Sequence, residues 1–208
     1  MPIPMDDDYQ QAELLSVESP HPYRITQEKD FGNRLIYLEP KLTTQEATVE
    51  IKTLYRIVRK EQRGLRVVEK KVAEPKTAFT PSDYLKPRGL ETISEKIEKI
   101  AEATTQGIQD PMEKARAIYQ YVFKHMRYDK SGAGWGLGDS IYACDIGKGN
   151  CTDFHSLFIV LARASHIPAR FQMGIPLPDS KEGEPSGSYH CWAEFYIEGK
   201  GWIPVDIS

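Results

Sequence analysis

A chain of 208 residues with 40% hydrophobic and 27% charged side chains holds enough apolar material for a core in one or two domains, which excludes overall disorder and a disulfide- or metal-stapled mini-fold. Its 27 basic side chains against 30 acidic ones leave a net charge of -3, and without a long basic run to neutralise phosphates this argues against nucleic acid as the main partner. The longest unbroken apolar run, Leu157 to Ala162, falls far short of the ~20 residues that span a bilayer, so no transmembrane helix is expected.

The opening Met1-Pro2-Ile3-Pro4-Met5-Asp6-Asp7-Asp8 has neither the basic nor the apolar region of a signal peptide. The expected location is the cytoplasm as the sequence is written, or the periplasm or exterior if a leader has been trimmed. Residues 1–20 are acidic and proline-flanked and are expected to form a flexible arm. Residues 21–80 are expected to be a β-rich accessory region. Val49, Ile51, Thr53, Tyr55 and Ile57 share one face of a strand, shorter runs surround Ile36 and Val67, and no reactive groups cluster there. Pro75, Pro81 and Pro87 then punctuate a junction, after which the apolar period changes from two to about 3.6 residues. A domain boundary near residue 80 follows, with a second domain over 81–208.

In that domain Ile93, Ile97 and Ile100 mark one helix. Asp110-Pro111-Met112-Glu113 starts another, with Pro at the first helical position and a core stripe of Ala115, Ile118, Val122 and Met126. A glycine-rich stretch, 131–149, reads as a loop. It leads into a third helix over 151–165, apolar almost all round and therefore buried, which Ile167-Pro168 stops. Strands are expected at 169–175, 188–197 and 201–207, with a polar Pro/Gly/Ser loop between the first two that suggests an open cleft.

Chemistry concentrates in this last third. Asn150 is a good N-cap with Asp153 three residues on to complete a capping box, which puts Cys151 in the first turn of the third helix. Unpaired amides and the helix dipole favour the anion there, and thiols so placed fall from a pKa of about 8.5 to ~3.5–7.5. Strand alternation sends Cys191, Ala193, Phe195 and Ile197 to an apolar face, and His190, Trp192, Glu194 and Tyr196 to the other, with Trp192 as a candidate wall of the site. Asp206 likewise opposes the face of Ile203, Val205 and Ile207. A hairpin of the last two strands would bring His190 and Asp206 to one end, with His190 facing Asp206, Trp192 facing Pro204, Glu194 facing Trp202 and Cys191 facing Val205. That parity needs a bulge or an offset loop, which Gly199 and Gly201 allow. Thiol, imidazole and carboxylate are the parts of a cysteine triad: Cys151 nucleophile, His190 base and acid, Asp206 orienting group. Cys191 is expected to be buried and dispensable.

Four ordered blocks closely resemble the bacterial transglutaminase-like domains: Gly149-Asn150-Cys151-Thr152-Asp153-Phe154-His155-Ser156-Leu157, Ile167-Pro168-Ala169-Arg170, Tyr189-His190-Cys191-Trp192-Ala193-Glu194 and Gly201-Trp202-Ile203-Pro204-Val205-Asp206. The resemblance covers about residues 85–208, and the family's nucleophile, base and acid map onto Cys151, His190 and Asp206. It implies an α+β, papain-like fold in which the cysteine helix packs on an antiparallel sheet, and it makes 81–208 the catalytic domain.

The Cys151 backbone N–H is the natural first oxyanion donor. Trp135 is a candidate for the second, with plain packing or loop anchoring as the alternative. His155 shares a helical face with Cys151, as a support of the site or as a satisfied core histidine. Cys144, Cys151, His155, His190 and Cys191 invite zinc, but the spacing argues against it: there is no Cys-x-x-Cys pair, and His190 and Cys191 point to opposite faces. No metal or cofactor is implied. The expected activity is attack on amide bonds of a peptide or protein substrate through an acyl-enzyme, with hydrolysis favoured over amine transfer. The alternative is a silent peptide- or protein-binding module of the same fold. Oligomeric state is not legible.

Overall fold

In a computed structural model the chain divides into two compact units, Met1–Arg66 and Val67–Ser208. The structure describes residues 1–7, 9–40, 48–60, 80–176 and 189–208. The expectations for Val67, Pro75 and the loop 177–188 lie outside the described residues.

Among its described residues the first unit contains two antiparallel strand pairs. β1 (Gln10–Glu18) pairs with β4 (Lys52–Arg59), and β2 (Tyr23–Gln27) with β3 (Arg34–Leu38). The alternation expected across Val49 to Ile57 is present: Thr53, Tyr55 and Ile57 are half-buried between exposed neighbours. The expectation of a flexible arm over 1–20 is corrected. Gln10 pairs with Arg59 and Glu18 with Lys52, while the Ile3 N–H donates to the Arg34 carbonyl and Ile3 is buried. The pairing shifts register between Leu14 and Ser16, so Ala12, Leu14 and Val17 face one way only because Leu15 is an extra residue. Such a bulge hides the period of two from a reading of the sequence.

The second unit is built around one helix. α1 (Glu95–Thr105) begins at the Ser94 cap, and α2 (Pro111–His125) at Asp110, whose carboxylate accepts from the Met112 and Glu113 amides at 2.9 and 3.0 Å. Next come β5 (Arg127–Tyr128), α3 (Ser140–Ile146), β6 (Lys148–Gly149) and α4 (Cys151–Ala164). The antiparallel sheet β7 (Ala169–Gly174), β8 (His190–Ile197), β9 (Gly201–Val205) follows, in that order. α4 is buried nearly all round, as its composition predicts, and packs against β7, β8 and the other three helices. Leu157, Phe158, Ile159, Val160 and Leu161 are fully buried. Arg163 near its end is buried too, held by the Ala169 carbonyl and by Glu91 at 2.6 Å. Among the described residues no helix is long and apolar enough to cross a membrane.

The two units divide after Arg66, in a stretch outside the described residues. Pro81 starts a short 3-10 helix, Pro81–Leu85, in the second unit, where Tyr84 is buried and sets its ring edge-on to Trp202 at 5.0 Å. Within the stretch expected to be all loop lies α3, capped by the Asp139 carboxylate on the Ile141 and Tyr142 amides and ended by Gly147 in the left-handed region.

Candidate active site

The site begins at the N-terminus of α4. The Asn150 side chain accepts from the Thr152 amide at 2.9 Å, and Asp153 returns the capping-box bond by accepting from the Asn150 amide at 2.9 Å. Asp153 does more than cap. Its carboxylate is fully buried and also accepts from the Gly136 and Gly138 amides at 2.6 and 3.2 Å, so one side chain fixes both the helix start and the glycine-rich loop that carries Trp135. Gly149 is required for the same reason, since a Cβ there would lie 2.2 Å from Asp153 Oδ2. Among the described residues the Cys151 backbone N–H has no acceptor, as the first amide of a helix commonly does.

A cleft of about 470 Å³ opens over this helix start. Cys151, Asn150 and Trp135 line it from the helix and loop side, and His190 and Tyr189 from the sheet side. Tyr128 also lines it, brought there by the parallel pairing of β5 and β6, in which Tyr128 lies opposite Gly149. Beside it the Asp129 carboxyl is held down at about 2, chiefly by the Ser131 side chain and amide, with Lys148 adding its charge at 3.5 Å.

On the sheet side the His190 Nε2–H donates to Asp206 Oδ2 at 2.7 Å. The bond fixes the tautomer and leaves Nδ1 with the free lone pair. The two side chains retain 38% and 50% of their exposure, so water reaches this pair. The hairpin keeps the expected parity but not the expected register. Ala193 faces Val205, Glu194 faces Pro204 and Ile197 faces Gly201, two residues out from the expected pairing. The connection has three residues, with Gly199 at positive φ in a turn closed from the Lys200 amide to the Ile197 carbonyl. An odd loop keeps both faces homogeneous and moves the partner strand by two. Continued one step, this register sets Trp192 rather than His190 opposite Asp206. His190 therefore reaches the carboxylate as a diagonal neighbour.

Trp192, expected as a wall of the site, is not among the residues lining the cleft; its ring lies alongside the imidazole, 6.5 Å away and inclined by 29°. Cys191 is fully buried under the sheet, as its parity predicts. Burial, followed by a hydrogen-bonding contact with the Cys151 thiol, pushes its thiol up to about 12, and Thr152 Oγ1 lies 3.7 Å from its sulfur. A thiol so placed stays protonated at any ordinary pH. His155 is also fully buried, its Nδ1 2.6 Å from the Cys151 carbonyl and its Nε2 3.1 Å from the Ile207 amide. Sequence reasoning placed the triad candidates, Trp135 and His155, but not Tyr128, whose arrival depends on a two-residue strand pair. It also saw Asp153 only as a cap. The run Gly136-Leu137-Gly138 is the signal that backbone amides there approach another group closely.

A family model described as the transglutaminase-like superfamily matches residues 98–207. The chain belongs to the transglutaminase-like superfamily. It is 27% identical to an uncharacterised protein of Haemophilus influenzae over 99% of its own length, and 26% identical to the uncharacterised protein YebA of Bacillus subtilis over 56%. It spans 62% and 18% of those two relatives, less than two thirds of either. Its fold is similar to that of a candidate cysteine protease from Cytophaga hutchinsonii, with a TM-score of 0.62, 21% identity, and coverage of 98% of this chain and 68% of the other. The periplasmic domain of TgpA from Pseudomonas aeruginosa gives a TM-score of 0.52 at 18% identity, over 96% of this chain and 64% of that one. The mixed α and β architecture of a transglutaminase-like, papain-like protein is thus established.

Proposed function

We propose that this transglutaminase-like protein is a thiol enzyme that hydrolyses amide bonds in a peptide or protein, with Cys151 as nucleophile, His190 as general base and acid, and Asp206 as the group that orients His190. The observation that carries the reading is the 2.7 Å bond from His190 Nε2 to Asp206, with His190 lining the same cleft as Cys151 at its helix start. His190 Nδ1 takes the thiol proton. The sulfur then bonds to the substrate carbonyl carbon, and the oxyanion so formed is met by the free Cys151 N–H, with the Trp135 indole N–H as the candidate second donor. The C–N bond breaks as imidazolium returns its proton to the leaving amine. Water, deprotonated by His190, attacks the thioester and releases a carboxylic acid and the thiol.

Hydrolysis is favoured over transfer to an amine because transfer requires an acyl-enzyme shielded from water, whereas His190 and Asp206 are both accessible to it. The test uses wild type and Cys151→Ala, incubated with diverse peptides and proteins in ¹⁸O-water with and without a primary amine and followed by mass spectrometry. Cysteine-dependent ¹⁸O incorporation is the expected result. Amine incorporation in preference to ¹⁸O would make the protein an acyltransferase, and no product on any substrate would make it a binding module.

A further inference from the structure

His155 sits where its two ring nitrogens can be assigned without ambiguity. The Cys151 carbonyl is only an acceptor, so Nδ1, at 2.6 Å, carries the proton and donates. The Ile207 amide is only a donor, so Nε2, at 3.1 Å, presents its lone pair and accepts. The ring is therefore neutral, and burial, which pushes its pKa down to about 4, acts in the same direction.

Both partners belong to the candidate site. One is the carbonyl of the proposed nucleophile, and the other is the amide of the residue that follows Asp206. We infer that His155 is a positioning residue: a neutral bridge between the first turn of α4 and the chain just beyond β9, which sets where the Asp206 carboxylate stands relative to Cys151. The inference rests on the reading of Cys151, His190 and Asp206 given above. A core histidine without such a role could be satisfied by any two groups; this one spans the two elements that the triad must hold in register.

The neutral form matters as much as the position. Asp206 Oδ1 lies 3.5 Å from His155 Nε2, while Oδ2 lies 2.7 Å from His190 Nε2. The carboxylate thus stands between two imidazoles. Because the His155 lone pair is spent on the Ile207 amide, His190 is the one of the two imidazoles that donates to Asp206, whose Oδ1 accepts more weakly from the Ser208 amide and hydroxyl at 3.4 and 3.5 Å. A proton on His155 Nε2 would break the bond to Ile207 and compete for the carboxylate.

The test compares His155→Gln, whose longer side chain can place an acceptor near the Nε2 position, with His155→Leu and His155→Asn, which cannot. Three quantities are read: thermal unfolding, hydrogen exchange of the Ile207 amide, and the rate at which iodoacetamide alkylates Cys151 near neutral pH, with His190→Ala as reference. The Leu and Asn variants should lose protection at Ile207 and slow Cys151 alkylation by about tenfold toward the His190→Ala value, the effect of one buried hydrogen bond, while Gln stays within about threefold of wild type. If Leu does not fold, Asn against Gln carries the comparison. Equal alkylation rates and equal Ile207 exchange in Asn and Gln overturn the bridge. Alkylation that is indifferent to His190→Ala would instead defeat the reading of the site, and exchange at Ile207 would still decide whether the bridge exists.

Discussion

The two halves of the candidate site are built differently. Cys151 starts a helix that is buried on nearly every side and is tied by a fully buried Asp153 to the loop carrying Trp135. His190 and Asp206 stand at the open end of a hairpin, joined to each other by one bond and half-exposed. The proposed nucleophile is therefore held by the fold itself, whereas its proposed partners are held by strand parity and a few hydrogen bonds. Substitutions on the helix side should cost stability first, and those on the hairpin side should cost chemistry first.

Four measurements can break or sharpen that contrast, ordered by their expected effect on stability. Asp153→Ala leaves the Asn150, Gly136 and Gly138 amides without their acceptor. At ~1–3 kcal/mol for each buried group left unpaired, and with Gly136 only partly buried, a loss of at least about 3 kcal/mol is expected by urea unfolding. A loss under about 1 kcal/mol would show that water replaces the carboxylate and that the helix side is not rigidly tied.

The second concerns pH. His155 has its pKa lowered from 6.5 to about 4 in the folded protein by burial, so between those values the unfolded chain binds a proton that the folded one does not. Stability must fall as pH drops from 6.5 toward 4, by a total on the order of 3 kcal/mol, and above 6.5 this group contributes no pH dependence. His155→Gln should remove that part of the slope. An unchanged slope would mean that the imidazole is not buried neutral.

The third is Cys191→Ala, which trims a fully buried side chain by one sulfur. About 1 kcal/mol should be lost with Cys151 reactivity retained, since the change is a small-cavity one. Loss of Cys151 alkylation in that variant would assign Cys191 a chemical part. The smallest effect on stability belongs to Asp206→Asn, whose side chain is half-exposed. Its unfolding free energy should move by less than about 0.5 kcal/mol, as surface substitutions do. Turnover of any substrate found should fall by ~10²–10⁴-fold, because an amide no longer fixes the imidazole tautomer. Comparable losses in stability and in rate would erase the distinction between the two halves.

What could be read in the sequence follows the same division. α4 was legible because a capping pair, an uninterrupted apolar run and a following Ile-Pro all act locally. The faces of β8 and β9 were legible because alternation is local too, which placed His190 opposite in parity to Cys191. The pairing of those strands was not legible: parity is indifferent to a shift of two, and whether the turn takes two or three residues depends on backbone angles at Gly199 that composition only permits. β1 was lost to the extra residue at Leu15, and α3 to the surrounding glycines, although Asp139 and Gly147 bracket it as cap residues should. The bridge through His155 could be suspected from its spacing to Cys151, but its other end, the Ile207 amide, is 52 positions away and comes into reach only through the fold.

The central claim is that Cys151 forms a covalent acyl-enzyme with help from His190. The direct measurement is a rapid acid quench of the protein with an activated acyl ester, followed by peptide mapping of wild type and His190→Ala. A thioester on Cys151 is expected, formed fast in wild type and slowly in the variant, with Cys144 and Cys191 unmodified. Acylation of Cys191, acylation at equal rates in both proteins, or no acylation of any cysteine would contradict it.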